Sequence, residues 1–183
     1  MKSPDLATKV IAIHDSLERA QIPHAFGGAL ALAYYVLDVR ATKDIDVNIF
    51  VAPDNVEKVF TALPTGIASD AADRDSVRRD AQVRLWWDET PVDLFFDVDE
   101  IHQQAVEHIH AVPFADTHIP ILGSTELVVF KMLFARPKDW LDIAEMLRAG
   151  IVDVVAVSAS FARLAVADDE SLQRFQELVG EHG

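Results

Sequence analysis

Cysteine is absent from the chain, which excludes disulfides and thiolate metal centres. Positive charge is scarce: 16 lysines and arginines stand against 30 aspartates and glutamates, a formal net charge of −14. Such a surface repels polyanions, so nonspecific nucleic-acid binding is not expected. A local arginine cluster or a bound cation would offset that repulsion for a particular RNA. The acidity keeps the chain in solution and equally suits a basic protein partner. No apolar run is long and charge-free enough to span a bilayer. The opening MKSPDLATKV lacks the apolar stretch of a signal peptide, so a cytoplasmic protein with no membrane partner is expected. The glycine doublet Gly27-Gly28 fits neither common glycine-rich nucleotide loop. It lacks the Gly-Lys-Ser/Thr ending of one and the third glycine of the other.

What is present is apolar material for one sizeable core, since hydrophobic residues make up 50% of the chain. Residues 24–50, HAFGGALALAYYVLDVRATKDIDVNIF, organise the reading. They suggest a short strand over 24–26, a tight turn at Gly27-Gly28, an apolar helix over 29–37 and a second strand over 44–50. In that strand Ile45, Val47 and Ile49 face one way and Asp44, Asp46 and Asn48 the other. Asp44 and Asp46 therefore lie side by side, about 6.6 Å apart along the backbone. Glycines let the chain turn and expose amides at a helix start, where phosphate is attracted. A phosphate cradle followed by a carboxylate pair is the layout a magnesium-bound nucleoside triphosphate needs.

Around this centre, Ser3 and Pro4 open an amphipathic helix with Leu6, Val10, Ile13 and Leu17 on one stripe. Pro53 restarts a helix through Leu63. Residues 67–80 read as a polar loop holding Arg74, Arg78 and Arg79. A hairpin follows, with strands over 83–87 and 92–96. Residues 101–109 read as helix, and 112–122 as short extended pieces. Ser124 is expected to cap an apolar helix over 127–135 that contains Lys131, and Pro137 opens another running to Arg148. The tail, 151–183, reads as two helices with a break near 167–169. The expected class is α+β: a mixed β-sheet flanked by helices, with a core over 1–122 and a helical C-terminal part over 123–183 packed on it as one unit.

Asp93 lies in the second hairpin strand between apolar neighbours, where an isolated charge is costly without a cation. It is the candidate third carboxylate beside Asp44 and Asp46. Magnesium takes oxygen ligands, commonly a few carboxylates plus substrate phosphates. An Asp-x-Asp strand also suits a solvated sheet edge, and Lys131 in its apolar helix suits an internal salt bridge as well as a triphosphate. Trp86 and Trp87 point to opposite sides of their strand. Arg74, Arg78 and Arg79 read first as a solvated surface and second as nucleotide or RNA contacts. His108-x-His110 is not expected to be a zinc site, since no consistent second ligand pair accompanies it.

The string Gly27-Gly28, Arg40-x-Thr42-x-Asp44-Ile45-Asp46, Asp93, Lys131 and Lys138-Asp139-x-x-Asp142 resembles the nucleotidyltransferase superfamily with the polymerase-beta-like fold. More narrowly it is similar to the AbiEii/AbiGii-type toxin nucleotidyltransferases. The resemblance covers about residues 24–147. It implies transfer of a nucleoside monophosphate from a triphosphate to an acceptor hydroxyl, a tRNA end or a protein side chain. It implies Mg2+ as cofactor, with Mn2+ as substitute, and a cognate antitoxin as partner. Asp44, Asp46 and Asp93 would hold metal, with Asp93 assisting deprotonation of the acceptor. Gly27, Gly28, Arg40, Thr42 and Lys131 would meet the nucleotide, with Lys138, Asp139 and Asp142 at the rim. The superfamily's usual Gly-Ser is Gly27-Gly28 here, so no serine hydroxyl meets phosphate. Two alternatives remain open: a small-molecule acceptor, as in antibiotic nucleotidyltransferases, and a non-catalytic nucleotide- or partner-binding module.

Overall fold

The computed structural model of the protein describes residues 4–37, 42–98, 100–164 and 169–182. Helix α1 (Leu6–Arg19) begins at Asp5, whose carboxylate accepts the Thr8 amide at 2.8 Å, so the cap lies beyond the expected Ser3-Pro4 start. Its Val10, Ile13 and Leu17 are fully buried. Lys9 is buried with them because its ammonium donates to the Trp87 carbonyl at 2.8 Å and the Thr90 hydroxyl at 3.0 Å, tying α1 to a hairpin turn.

Strand β1 (His24–Phe26) leads through Gly27 into helix α2 (Gly28–Leu32), shorter than the helix expected over 29–37. After Leu32 the bonding tightens, with the Tyr34 amide reaching back to the Ala31 carbonyl and the Tyr35 amide to that of Leu32. The two tyrosine hydroxyls are drawn to the Pro113 and Leu122 carbonyls at 2.6 and 2.8 Å. These tertiary bonds override the helix propensity of an alanine- and leucine-rich run.

Strand β2 (Ile45–Ile49) buries Ile45, Val47 and Ile49, as the alternation requires. Helix α3 (Val56–Ala62) follows, then the two-residue strand β3 (Ile67–Ala68). The loop expected over 67–80 is instead mostly helix α4 (Ala71–Asp80). Asp70 accepts the Asp73 amide at 3.0 Å while Asp73 accepts the Asp70 amide at 2.8 Å. This reciprocal cap starts the helix, and Val77 anchors it in the core. Asp70→Ala should lower stability by about 1 kcal/mol without loss of fold, read as a shifted denaturation midpoint.

Strands β4 (Gln82–Trp87) and β5 (Thr90–Phe96) form the expected hairpin, with Trp87 buried and Trp86 exposed. Helix α5 (Glu100–Glu107) precedes a second hairpin, β6 (His110–Phe114) and β7 (Thr117–Ile121). Helices α6 (Ser124–Phe134), α7 (Pro137–Arg148), α8 (Val154–Ala162) and α9 (Asp169–His182) complete the chain and pack on one another. Gly123, one residue before the expected Ser124, occupies the α6 cap position.

Among the described residues the strands form one mixed sheet in the order β3-β4-β5-β2-β1-β7-β6. The β2–β5 and β1–β7 pairings are parallel and the others antiparallel. A single apolar core runs from α1 through the sheet to α9. No helix among the described residues is long and apolar enough to cross a membrane.

Candidate active site

Register decides which side chains meet. Asp46 on β2 is directly paired with Asp93 on β5, and Asp93 is directly paired with Arg84 on β4. Paired residues of adjacent strands point to the same face, so Asp46, Asp93 and Arg84 form one row across three strands. Asp44 lies two residues before Asp46 and so shares that face. Thr42 holds its backbone: the Thr42 hydroxyl accepts the Asp44 amide at 3.1 Å and lies 3.2 Å from the Asp44 carbonyl, to which it donates.

The glycine bend lies directly on this row. The Gly27 amide donates to the Asp46 carbonyl at 2.9 Å. A Cβ on Gly28 would fall 1.8 Å from Asp46 Oδ2, and one on Gly27 would fall 2.8 Å from Asn48 Nδ2. Gly28 also has φ +53°, a region favourable to glycine. The doublet is thus required by close approach of backbone to carboxylate as well as by the turn.

The electrostatics follow from crowding. Burial, then the neighbouring Asp93 and Asp44 charges, push the Asp46 carboxyl up to about 6 from 3.8. Arg84 answers part of this charge. Its Nε and Nη2 each donate to an Asp93 oxygen at 2.7 Å, and Nη2 lies 3.9 Å from Asp44 Oδ2. Asp93 hydrogen bonding raises the Arg84 pKa further. The guanidinium therefore stands between two of the three carboxylates, and the three do not close to within 4.8 Å of one another. Three hard oxygen donors whose mutual repulsion is only partly relieved, already drawing a cationic side chain between them, suit a divalent metal ion.

The remaining wall comes from α6 and α7. Gly28, Ala29, Thr42, Lys43, Lys131 and Lys138 line a cleft of about 370 Å3 over Asp44 and Asp46. Arg136 borders it and also an adjoining hollow of about 430 Å3 lined by Arg84, Asp93, Phe95, Asp73 and Asp80.

No protein-family model and no curated protein matches this chain. Solved structures do resemble it. An antigenic nucleotidyltransferase-like protein from Paracoccidioides brasiliensis superposes with a TM-score of 0.54 at 15% identity, over 99% of this chain and 90% of its own. The antibiotic-resistance factor ANT(2'')-Ia superposes with a TM-score of 0.55 at 12% identity, over 96% of this chain and 89% of its own. The same factor, crystallised with adenylyl-2''-tobramycin, gives a TM-score of 0.50 at 11% identity, covering 97% and 98%. The fold is the nucleotidyltransferase fold.

Within that nucleotidyltransferase fold the residues singled out from sequence divide. Gly28, Thr42, Asp44 and Asp46 line the cleft, Gly27 is bonded to the Asp46 backbone beside it, and Asp93, paired with Asp46, faces the adjoining hollow; Arg40 lies outside the described residues. Lys131 is buried and already paired, 2.8 Å from Asp142 and 3.9 Å from Asp139. Asp139 accepts from Arg136 Nε at 2.6 Å and from Nη2 at 3.1 Å. The lysine-aspartate string is therefore first an ion-pair network joining α6 to α7, with one edge on the cleft. Lys138 lines the cleft, as does Lys43, and among the described residues neither has an ion-pair partner. Arg74 and Arg78 pair with Glu57, and Arg79 with Asp80, so this cluster is neutralised on the surface.

Arg84, Arg136 and Lys43 were not legible as site residues. Arg84 had a usable signal: counting back from Asp93 through the hairpin turn brings it opposite. Arg84→Met should tighten divalent-cation binding, because it frees both Asp93 oxygens and removes a positive charge from the site. Titration with Mn2+ at constant ionic strength checks this; weaker binding than wild type would show that Arg84 supports the site.

Proposed function

We propose that the protein is a magnesium-dependent nucleotidyltransferase moving a nucleoside monophosphate from a nucleoside triphosphate to an acceptor hydroxyl. The observation that carries this reading is the Asp46–Asp93 pair, set in register on parallel strands with Asp44 beside it and Gly28 pressed against the Asp46 carboxylate. In the reaction a bond forms from the acceptor oxygen to the α-phosphorus, the α–β bridging bond breaks, and pyrophosphate leaves. Magnesium, when bound, supplies Lewis-acid stabilisation of the attacking and leaving oxygens. Asp44, Asp46 and Asp93 would hold it, with Mn2+ able to substitute. Asp93, once released by Arg84, receives the acceptor proton. Gly27 and Gly28 would border the triphosphate, Gly28 lining the cleft against the Asp46 carboxylate. Lys43 and Lys138, which line the cleft, would meet its phosphates, while Lys131 pairs with Asp142 and Asp139 behind them.

The similarity of the Arg40-to-Asp46 string to toxin nucleotidyltransferases makes a tRNA end or a protein hydroxyl the first acceptor reading. In that reading the protein is the toxin of a toxin–antitoxin pair, working in the cytoplasm. A cationic small molecule is the second. Three observations favour it: the net charge of −14, Asp73 and Asp80 on the hollow beside Asp93, and the structural likeness to an antibiotic-resistance factor.

The test is mass analysis after incubation with all four triphosphates and Mg2+, offered bulk tRNA, the protein itself and an aminoglycoside. A nucleoside-monophosphate adduct on any of them supports transfer and names the acceptor class. Triphosphate binding with no adduct on any of them and no pyrophosphate would overturn transfer in favour of a binding module.

A further inference from the structure

We infer that His14, Glu18 and His24 form a second metal site, for a zinc-type transition-metal ion, on the sheet face opposite the cleft. His14 and Glu18 are one helical turn apart on α1 and share a face. His24 opens β1 beneath them. It is paired with Ile49 and stands on the side of Phe26 and Val47, away from Asp46 and Asn48. The site thus shares no ligand with the proposed transfer centre and does not depend on it.

Each of the three residues offers one ligand atom, and these atoms lie within 4.8 Å of one another. The central contact is His14 Nδ1 to His24 Nε2, at 3.0 Å. His24 Nδ1 lies 2.8 Å from the Ile22 carbonyl. A carbonyl only accepts, so Nδ1 carries the proton and Nε2 presents its lone pair. A backbone carbonyl on the distal nitrogen is the usual way a ligating histidine is oriented. In a tetrahedral zinc site, nitrogens at about 2.0–2.1 Å from the metal stand roughly 3.3 Å apart. The His14–His24 pair need open by only a few tenths of an ångström, with His14 moving its proton to Nε2.

A hydrogen-bonded histidine pair alone would need no third donor, yet Glu18 is held one turn beyond His14. Two imidazoles and a carboxylate favour zinc or cobalt over magnesium. Glu18 is exposed and His14 half-buried, so a fourth position opens to water. A bound ion would staple α1 to β1 across the turn at 20–23, acting on stability and not on transfer.

The test uses the untagged full chain, stripped of metal and titrated with zinc alone or cobalt alone. Expected are zinc uptake, a raised melting temperature and the intense visible bands of four-coordinate cobalt. Glu18→Gln should weaken zinc binding at least about tenfold, and His14→Gln more. Asp46→Asn should leave the cobalt spectrum unchanged. The inference is overturned if wild type takes up no zinc, if His14→Gln binds it as wild type does, or if Asp46→Asn removes the bands.

Discussion

Gly28→Ala is expected to cut nucleotidyl transfer by about 100-fold or more while the sheet stays folded. Two costs fall on the same residue. The backbone at φ +53° disfavours a Cβ by about 1–2 kcal/mol. The added carbon would also lie 1.8 Å from Asp46 Oδ2 and 2.5 Å from its Cγ, so the carboxylate must swing away. Asp46 is the centre of the proposed metal-holding row, and a displacement of that size is enough to spoil alignment. Gly180→Ala is the control: a Cβ there meets nothing within 4 Å, and α9 gains a better helix former. Steady-state kcat with a thermal melt on each variant reads the result. A Gly28→Ala protein with wild-type kcat would remove the glycine bend from the site.

Asp46→Asn should abolish transfer and yet stabilise the metal-free protein at neutral pH. The Asp46 carboxyl is raised to about 6 in the folded chain from 3.8, so the folded state holds that proton more tightly than the unfolded state does. Stability contributed by this residue therefore falls as pH rises from about 4 to about 6. At pH 7 the folded chain bears the full penalty, roughly 3 kcal/mol from the shift. Asparagine cannot ionise and escapes it. Denaturation midpoints of wild type should fall relative to the variant across that interval and run parallel above it. Mg2+ should restore wild type and leave the variant unmoved. Loss of both activity and stability at pH 7 would mean that Asp46 is a structural anion paired in the fold, not a vacant ligand.

These two residues also show what a linear chain reveals. Gly28 and Asp46 were legible because each breaks a local pattern: a doublet where a turn is needed, and acids alternating with Ile45, Val47 and Ile49. Asp93 was legible from its apolar neighbours, though only the parallel β2–β5 register places it opposite Asp46. Arg84 and Arg136 were not, because a surface arginine carries no local mark of what it faces. Lys131 was noticed as a charge in an apolar helix, and its partners Asp139 and Asp142 were noticed too. Their pairing depends on how α6 crosses α7, which spacing along either helix does not encode. The α4 helix was missed because its apolar side is little more than Val77; a reciprocal Asp70–Asp73 cap and arginine pairs to Glu57 hold it instead. The early end of α2 came from two tyrosine hydroxyls bonding to carbonyls 79 and 87 residues away.

The most direct measurement is an anomalous difference map from crystals of the wild-type protein grown with Mn2+ and a non-hydrolysable nucleoside triphosphate. The account predicts a manganese peak between Asp46 and Asp93, within reach of Asp44, with Arg84 turned away and phosphate oxygens beside Gly28. Triphosphate bound in the cleft with no peak at these carboxylates, and Arg84 still seated on Asp93, would contradict it.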